Sequence, residues 1–529
     1  MNISYRPYTG VPQLSGKDQD YIALKPYLKD FYNYTPTLAS FADAIKDRAQ
    51  YPVDRQLLHR VVSGSYDTFQ PSALQQTHIA ALANDRTYTV ITAHQPSLLG
   101  GPLYYIFKIS SALNLVQQLQ KEYPDHHFVP VFINGSEDHD FEEVDHFSIY
   151  GKTVKWDREA RGPVGRLNTE GLSTVISSTA DILGSGEHKD ELMGIFGDAL
   201  ATADSYNDFV FQYVNRLFAD KGLLVVNTDN ADLKRNFIPL MERELTERAS
   251  ESIILQTQQD LEHHGFKSQA FPRDINLFYL GNGDRQRITF DDNHYHIVDT
   301  DEKYTEKQIL EILHERPQDF SPNVVMRPIY QEYSLPNLAY IGGGGEIAYW
   351  LERKAQFANY KVYYPMLIRR NSAMLLDKSN QGTLAKLGLT VQDIFAHEDQ
   401  VISDFLLGTV SQDISIENEL QQLQQAYESI ATKAAPHDPG LEKAILAEMT
   451  KQAKQVSNLG SRIKRAIKSR EETNVNKIRK VKDKLFPSNG LQERSDNFIQ
   501  YYGNHGSELI DFLVDNMDPL RREFAIIEL

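Results

Sequence analysis

Four short stretches of the 529-residue chain bring together side chains that do chemistry. The first is His94-Gln95-Pro96-Ser97-Leu98-Leu99-Gly100-Gly101-Pro102. An imidazole, an amide and two glycines stand where a β-branched run hands over to a helix. Backbone N–H groups at such a helix start, with its dipole, favour an anion or a developing oxyanion. No Gly-Lys-Ser/Thr follows, so the loop is not a Walker loop. The second stretch is Glu137-Asp138-His139-Asp140. Three carboxylates around one imidazole suit an ammonium group, Mg²⁺ or a general base. His139 and His146 are seven apart, not the four that place two zinc ligands on one helical face.

The third stretch is Gly342-Gly343-Gly344-Gly345-Glu346. Gly343, Gly345 and Ala348 match a relaxed dinucleotide fingerprint. Two features oppose NAD or a flavin: Glu346 stands where a pyrophosphate would lie, and no acid occurs about 20 residues on. A substrate loop that turns Glu346 toward an amine or hydroxyl fits better. The fourth set is basic: Arg327, and Arg369-Arg370 after an apolar run, forks suited to carboxylate or phosphate. Each stretch also has an ordinary structural use as a tight turn, an acidic cap or a core-edge ion pair.

These residues need a scaffold. Thr87–Ala93 predicts a buried strand, Leu103–Lys121 a helix with Pro102 at its first position, and Phe128–Asn134 a second strand. That is a βαβ crossover, expected to be right-handed. It puts His94 and the Glu137–Asp140 group at the carboxyl ends of neighbouring strands, in one crevice. Helix Tyr206–Lys221, strand Leu223–Asn227 and helix Ala231–Arg248 extend the pattern. A small antiparallel piece is expected over 271–300, and further strands over Leu338–Ile341 and Val362–Ile368. The first 80 or so residues predict an irregular wrap with short helices. Residues 415–433 are Gln/Glu-rich at helical spacing, and Ala435–Gly440 is a turn. A single long amphipathic helix is then expected from Leu441 to Leu485, making an antiparallel coiled-coil hairpin. The predicted division is a core over 1–380, a helical coiled coil over 381–488, and a segment over 489–529 that packs back on the core.

Composition narrows the function. No cysteine is present, which excludes disulfides, thiolate nucleophiles, iron–sulfur clusters and Cys-ligated zinc. The formal charge of −17 opposes general nucleic-acid binding. Between Thr450 and Phe486, 12 Lys/Arg face 3 acids, a local +9 that leaves −26 for the rest. A solvated or oligomer-facing helix explains this, as does an anion cradle. Neither a signal peptide nor an 18-residue apolar run is seen, so a cytoplasmic protein without membrane contact is expected.

Five segments together resemble one family, the cysteine-adding ligases of bacillithiol biosynthesis: His94–Lys108 (HQPSLLGGPLYYIFK), Val129–His146 (VPVFINGSEDHDFEEVDH), Arg327–Tyr349 (RPIYQEYSLPNLAYIGGGGEIAY), Pro365–Arg370 and Leu485–Arg494 (LFPSNGLQER). The resemblance implies an α/β fold. Its Rossmann-like core would be akin to the class I aminoacyl-tRNA synthetase and nucleotidyltransferase group, with inserted segments and a C-terminal coiled coil that forms a homodimer. It implies a ligase that adds cysteine to the amine of glucosaminyl malate at the expense of ATP, with or without Mg²⁺. A nucleotidyl- or glycosyl-transferring enzyme and a non-catalytic metabolite-binding scaffold are the alternatives.

Carried over residue by residue, His94, Glu137, Asp138, His139 and Asp140 are the expected catalytic set. Gln95, Gly100, Gly101, Tyr104, Arg327, Gln331, Tyr340, Gly343, Gly344, Glu346, Tyr349, Arg369 and Arg370 are the expected substrate-binding set. The nucleotide is expected either in the crevice or at Leu491, Gln492, Glu493 and Arg494, near the basic helix. The sequence departs from the family at Ala93-His94-Gln95, where Gly-Gln-Gln is frequent. It also lacks the His-x-Gly-His and Lys-Met-Ser-Lys-Ser loops of the synthetases. Without a cysteine of its own, such an enzyme would select a thiol substrate by pocket shape and polar contacts.

Overall fold

The computed structural model describes residues 1–67, 69–409 and 416–529, and all side chains there except that of Lys468. Residue 415, at the edge of the Gln/Glu-rich run, therefore lies outside the described residues. The chain forms two compact units, Met1–Met374 with Leu491–Ile527, and Leu375–Gly490 with Glu528–Leu529.

A five-stranded parallel sheet organises the first unit. Its strands are β1 (Thr87–His94), β2 (His127–Asn134), β3 (Leu224–Asn227), β4 (Asn337–Gly342) and β5 (Met366–Arg369). Their order across the sheet is β5-β4-β1-β2-β3. Ile91 pairs with Val131 on one side and Tyr340 on the other, and Ile133 pairs with Val226. The strands are apolar runs because both faces are covered, the burial that parallel sheets require. This 3-2-1-4-5 order is Rossmann-like, and it reverses direction between β1 and β4. The loops after those two strands, at His94 and Gly343, therefore flank the crevice where such folds bind ligands.

Helix α1 (Tyr104–Glu122) makes the β1-to-β2 crossover and is buried along most of its length. Pro102 does not start it. Pro102 bridges Asn497, and the Leu103 N–H donates to Asp496 O, so the helix begins two residues later. Helices α2 (Tyr206–Phe218) and α3 (Ala231–Glu247) flank β3. The expected antiparallel piece is a five-stranded sheet in the order 303–304, 294–297, 286–291, 277–279, 320–322. Helix α4 (Gly344–Leu351) follows β4 directly. β5 is shorter than its apolar run, since Val362–Pro365 follow the left-handed Lys361 (φ 56°) as buried coil and Pro365 has no N–H for a ladder. Ahead of β1, the strand Asn2–Pro7 and short helices such as Gly16–Ile22 and Phe41–Arg48 make the expected wrap.

In the second unit, helices Glu417–Ala434 and Pro439–Arg470 form a hairpin. The single long helix expected there is instead two. Glu471 (φ −93°, ψ 15°) ends one, and a second runs over Glu472–Leu485. The apolar spacing lapses at that place, between Ile467 and Val475. Part of the basic charge is structural: Lys482 donates to Ile394 O and Ala396 O, and Arg479 pairs with Glu398. Among the described residues no helix is long and apolar enough to cross a membrane.

Candidate functional site

The crevice between the β1 and β4 loops is a cavity of about 800 Å³. His94, Gln95, Tyr104, Glu137 and Asp138 line it, as do Arg327, Gly343, Glu346, Tyr349, Arg370 and Arg494. Eleven of the expected residues thus converge on one space within the first unit.

Its centre is a buried ion pair. Lys108 Nζ lies 2.6 Å from Glu346 Oε2 and donates to Ala93 O at 2.8 Å. Glu346 also accepts from Tyr340 Oη at 2.7 Å and, as the cap of helix α4, from the Gly343 N–H at 2.8 Å. Burial alone would raise its pKa. Lys108 and these donors outweigh burial and hold it down to about 2, so the carboxylate is ionised. Burial lowers the pKa of Lys108, against the pull of Glu346.

His94 is locked. Its Nδ1 lies 2.9 Å from Gln95 O, which can only accept, so Nδ1 carries the hydrogen and Nε2 faces Tyr104 Oη at 3.2 Å as acceptor. Burial, with the charge of Lys108, pushes its pKa down to about 4. The imidazole is therefore neutral near pH 7 and a weak base.

The acidic stretch after β2 divides. Asp138 accepts from Gln95 Nε2 at 2.7 Å and from the His139 N–H at 2.7 Å. Burial opposes its charge, but these bonds and nearby Arg285 hold it well below the usual carboxylate range. Glu137 pairs with Lys234, a fully buried lysine on α3 that also contacts Asp229 at 3.0 Å. Burial raises the pKa of Glu137 in spite of Lys234. Asp229 is held down to about 2: burial opposes its charge, and a bidentate pair with Arg166 and the charge of Lys234 outweigh it. His139 and Asp140 do not line the cavity. His139 packs on Phe278 and accepts from Arg285 Nη1 at 3.1 Å, and Asp140 is exposed.

Several expected ligand contacts are structural instead. Gly100 (φ 81°) and Gly101 (φ 51°) do not offer free amides. The Gly100 N–H donates to Tyr213 Oη, that of Gly101 to Leu98 O, and a Cβ on Gly100 would stand 2.6 Å from the Phe498 ring. Gly344 is needed because a Cβ there would meet the Asp18 carboxyl at 2.3 Å. Arg369 turns from the cavity to Asp18, at 2.7 and 3.0 Å, and fills its remaining donors with Tyr8, Arg370 O and Ser372. Gln331 is buried against Glu332, and Arg327 spans Gln331 Oε1 and Tyr349 Oη. Tyr340 does not line the cavity itself but bonds Glu346, which does.

Of the Leu491–Arg494 group, only Arg494 lines the cavity. Leu491 and Gln492 are buried, and Glu493 accepts from Arg370 Nη2 at 2.8 Å, Ser372 Oγ and the Ala373 N–H. Arg370 lies over the Tyr104 ring, and its Nε–H is buried beside Gly343 with no acceptor among the described residues. An unpaired buried donor at the wall fits a phosphate or carboxylate oxygen of a nucleotide or substrate.

Lys108, Lys234 and Arg285 were not singled out in the sequence. The two lysines had a signal: each interrupts the apolar stripe of its helix, Lys108 between Phe107 and Ile109, Lys234 after Leu233.

Comparison with known proteins agrees with this architecture. The family model "Bacillithiol biosynthesis BshC, N-terminal Rossmann-like domain" matches residues 7–371, and "Bacillithiol biosynthesis BshC, C-terminal coiled-coil domain" matches 373–529. A protein of Flavobacterium johnsoniae named "Putative cysteine ligase BshC" is 36% identical over 511 residues, covering 96% of both chains. Proteins of the same name from Christiangramia forsetii (36%, 96% of both chains) and Lysinibacillus sphaericus (26%, 93% of this chain and 94% of that one) are also similar. A solved structure titled as a putative arginyl-tRNA synthetase of Campylobacter jejuni covers 85% of this chain and 98% of its own at 10% identity, with a TM-score of 0.21. With both family models matched and relatives at 36% identity along almost its full length, the chain belongs to the BshC family of bacillithiol biosynthesis.

Proposed function

We propose that the chain joins the carboxyl group of cysteine to the amine of glucosaminyl malate, with ATP as the activating co-substrate. One observation carries this. Four carboxylates line one cavity, and the surroundings push three of them apart: Glu346 and Asp138 are held ionised, while burial holds Glu137 above its ordinary value. Amide formation asks for that division. Ionised carboxylates anchor ammonium groups, and a carboxylate of raised basicity takes the proton that an attacking amine must lose.

In this reading Glu346, stiffened by Lys108 and Tyr340, holds the cysteine ammonium. Glu137 removes a proton from the glucosamine nitrogen. The nitrogen lone pair then attacks the activated cysteine carbonyl carbon, the C–N bond forms, and the phosphate-bearing leaving group departs with the electrons of the C–O bond. The buried Arg370 Nε–H and Arg494 meet its negative charge. ATP enters as its Mg²⁺ complex, and the reaction belongs in the cytoplasm, where ATP and reduced cysteine are present. Two copies pair through the helical hairpin, on which Ile430, Leu441 and Leu459 are exposed.

The test is direct. Purified full-length chain is incubated with cysteine, glucosaminyl malate and Mg·ATP, and bacillithiol, ADP and AMP are followed by mass spectrometry. Product that depends on ATP is expected, and the nucleotide formed tells acyl phosphate from adenylate. ATP-independent product, or none, sinks the proposal.

A further inference from the structure

Three exposed guanidinium groups line the cavity with no side-chain partner among the described residues: that of Arg494, and those of Arg273 and Arg287. Arg273 and Arg287 both line it and both are exposed, and neither pairs with a carboxylate among the described residues. Their neighbours are already engaged. Arg285 donates to Ser321 Oγ, Pro322 O and His139, and the acid beside Arg273, Asp274, faces Arg248 at 3.6 Å.

The antiparallel sheet explains how Arg287 comes to the cavity. Arg287 pairs in register with Phe278, and directly opposed residues of an antiparallel pair project to the same side. Thr289, two residues on, shares that face. Phe278 and Thr289 line the cavity as well. Arg273 precedes the first strand of this sheet, in a turn tied by its N–H to Asn276 Oδ1. Close in sequence, Phe271 lines the same cavity with 76% of its surface exposed, an aromatic ring left bare at the wall.

The setting makes this unusual. The chain carries −17 overall, so an anionic ligand is repelled at long range unless the entrance is locally positive. A doubly charged anion offers one carboxylate to each guanidinium fork. A bare aromatic ring beside them offers a flat apolar surface of the kind on which a sugar ring lies through its C–H face.

We infer that Arg273, Arg287 and Phe271 form a subsite for a sugar that carries two carboxylates, the arginines taking the dicarboxylate and the phenyl ring the sugar. The subsite is a determinant of acceptor specificity, separate from the carboxylates that carry out the chemistry. Its ligand class rests on the acceptor proposed above, and its residues lie outside every segment that carries the family resemblance.

Calorimetric titration of the full-length chain tests this without any turnover. The probes are glucosaminyl malate, the methyl glycoside of glucosamine, L-malate and L-lactate. The proteins are wild type, Arg273→Gln, Arg287→Gln and the double variant, with equal melting temperatures expected because both side chains are exposed. Each single substitution is expected to weaken glucosaminyl malate at least about tenfold and to leave the methyl glycoside unchanged. Equal affinity of wild type and variants for glucosaminyl malate overturns the subsite and leaves the acceptor proposal standing. If wild type fails to bind glucosaminyl malate yet binds L-malate over L-lactate through these arginines, the subsite stands and the acceptor proposal falls. Binding of neither dianion overturns the subsite.

Discussion

Lys108 Nζ stands 2.6 Å from Glu346 Oε2, joining the second turn of helix α1 to the first turn of helix α4 beneath the cavity. The pair ties the loops after β1 and β4 to each other at the point where the strand order reverses. Lys108 is 2% exposed, so its charge is tolerated only because Glu346 and Ala93 O receive it.

Lys108→Met should therefore cost roughly 3–5 kcal/mol, since it leaves the Glu346 carboxylate with the Tyr340 hydroxyl and one backbone N–H but no cation. The double variant Lys108→Met/Glu346→Gln should recover part of that loss, because no bare charge remains. Urea unfolding of the four proteins of the cycle measures this. A single variant as stable as the double would show that the pair does not hold the two loops.

His94 predicts a stability change with pH. Its folded-state pKa is about 4, against an ordinary 6.5. The unfolded chain thus takes up a proton first, and stability falls as pH drops from about 6.5 toward 4. Above 6.5 the residue contributes nothing to the slope. His94→Gln removes this component, at most about 3 kcal/mol across the window. His78, also held near 4 by burial, stays in both proteins, so the difference between the two unfolding curves isolates His94. Parallel curves between pH 4 and 6.5 would contradict the buried, neutral imidazole.

Glu137 predicts the pH dependence of turnover. As the proton acceptor it must be ionised, so kcat/KM falls as pH drops through its raised pKa. Glu137→Gln should lower kcat by about 10²–10⁴ and abolish that acid limb. Lys234→Met removes the cation that opposes burial, so the limb should move to higher pH while remaining visible. An acid limb that persists unshifted in both variants would assign the base elsewhere.

The strands and their crossovers were legible in the sequence because β-branched runs and 3.6-residue spacing are local signals, and His94, Glu137, Asp138 and Glu346 follow strands where ligands gather. What failed depends on distant partners. Arg369 and Arg370 are adjacent in sequence, yet one meets Asp18 and the other the cavity. Nothing within the pair tells which, because Asp18 lies some 350 residues away. Gly100 and Gly344 look like ligand-approach glycines, but the atoms that forbid a side chain there belong to Phe498 and Asp18. The acidic run Glu137–Asp140 gave the place but not the division of labour, which Lys234 and Arg285 impose from other elements.

Arg369 supplies the sharpest contrast between the two views of this site. A substrate-reading arginine would raise KM for the acceptor when removed and leave folding nearly untouched. In the structure every guanidinium nitrogen of Arg369 is already bound, two of them to Asp18. Arg369→Gln should leave Asp18 buried and uncompensated beneath Gly344, a loss of roughly 3–5 kcal/mol. Asp18→Asn/Arg369→Gln should lose less than Arg369→Gln alone, since the bare carboxylate is gone. Assayed well below its lowered melting temperature, Arg369→Gln should keep the KM for glucosaminyl malate within about twofold, because no contact with the cavity is lost. A melting temperature equal to wild type together with a tenfold rise in that KM would return Arg369 to the substrate and undo the assignment of the dicarboxylate to Arg273 and Arg287.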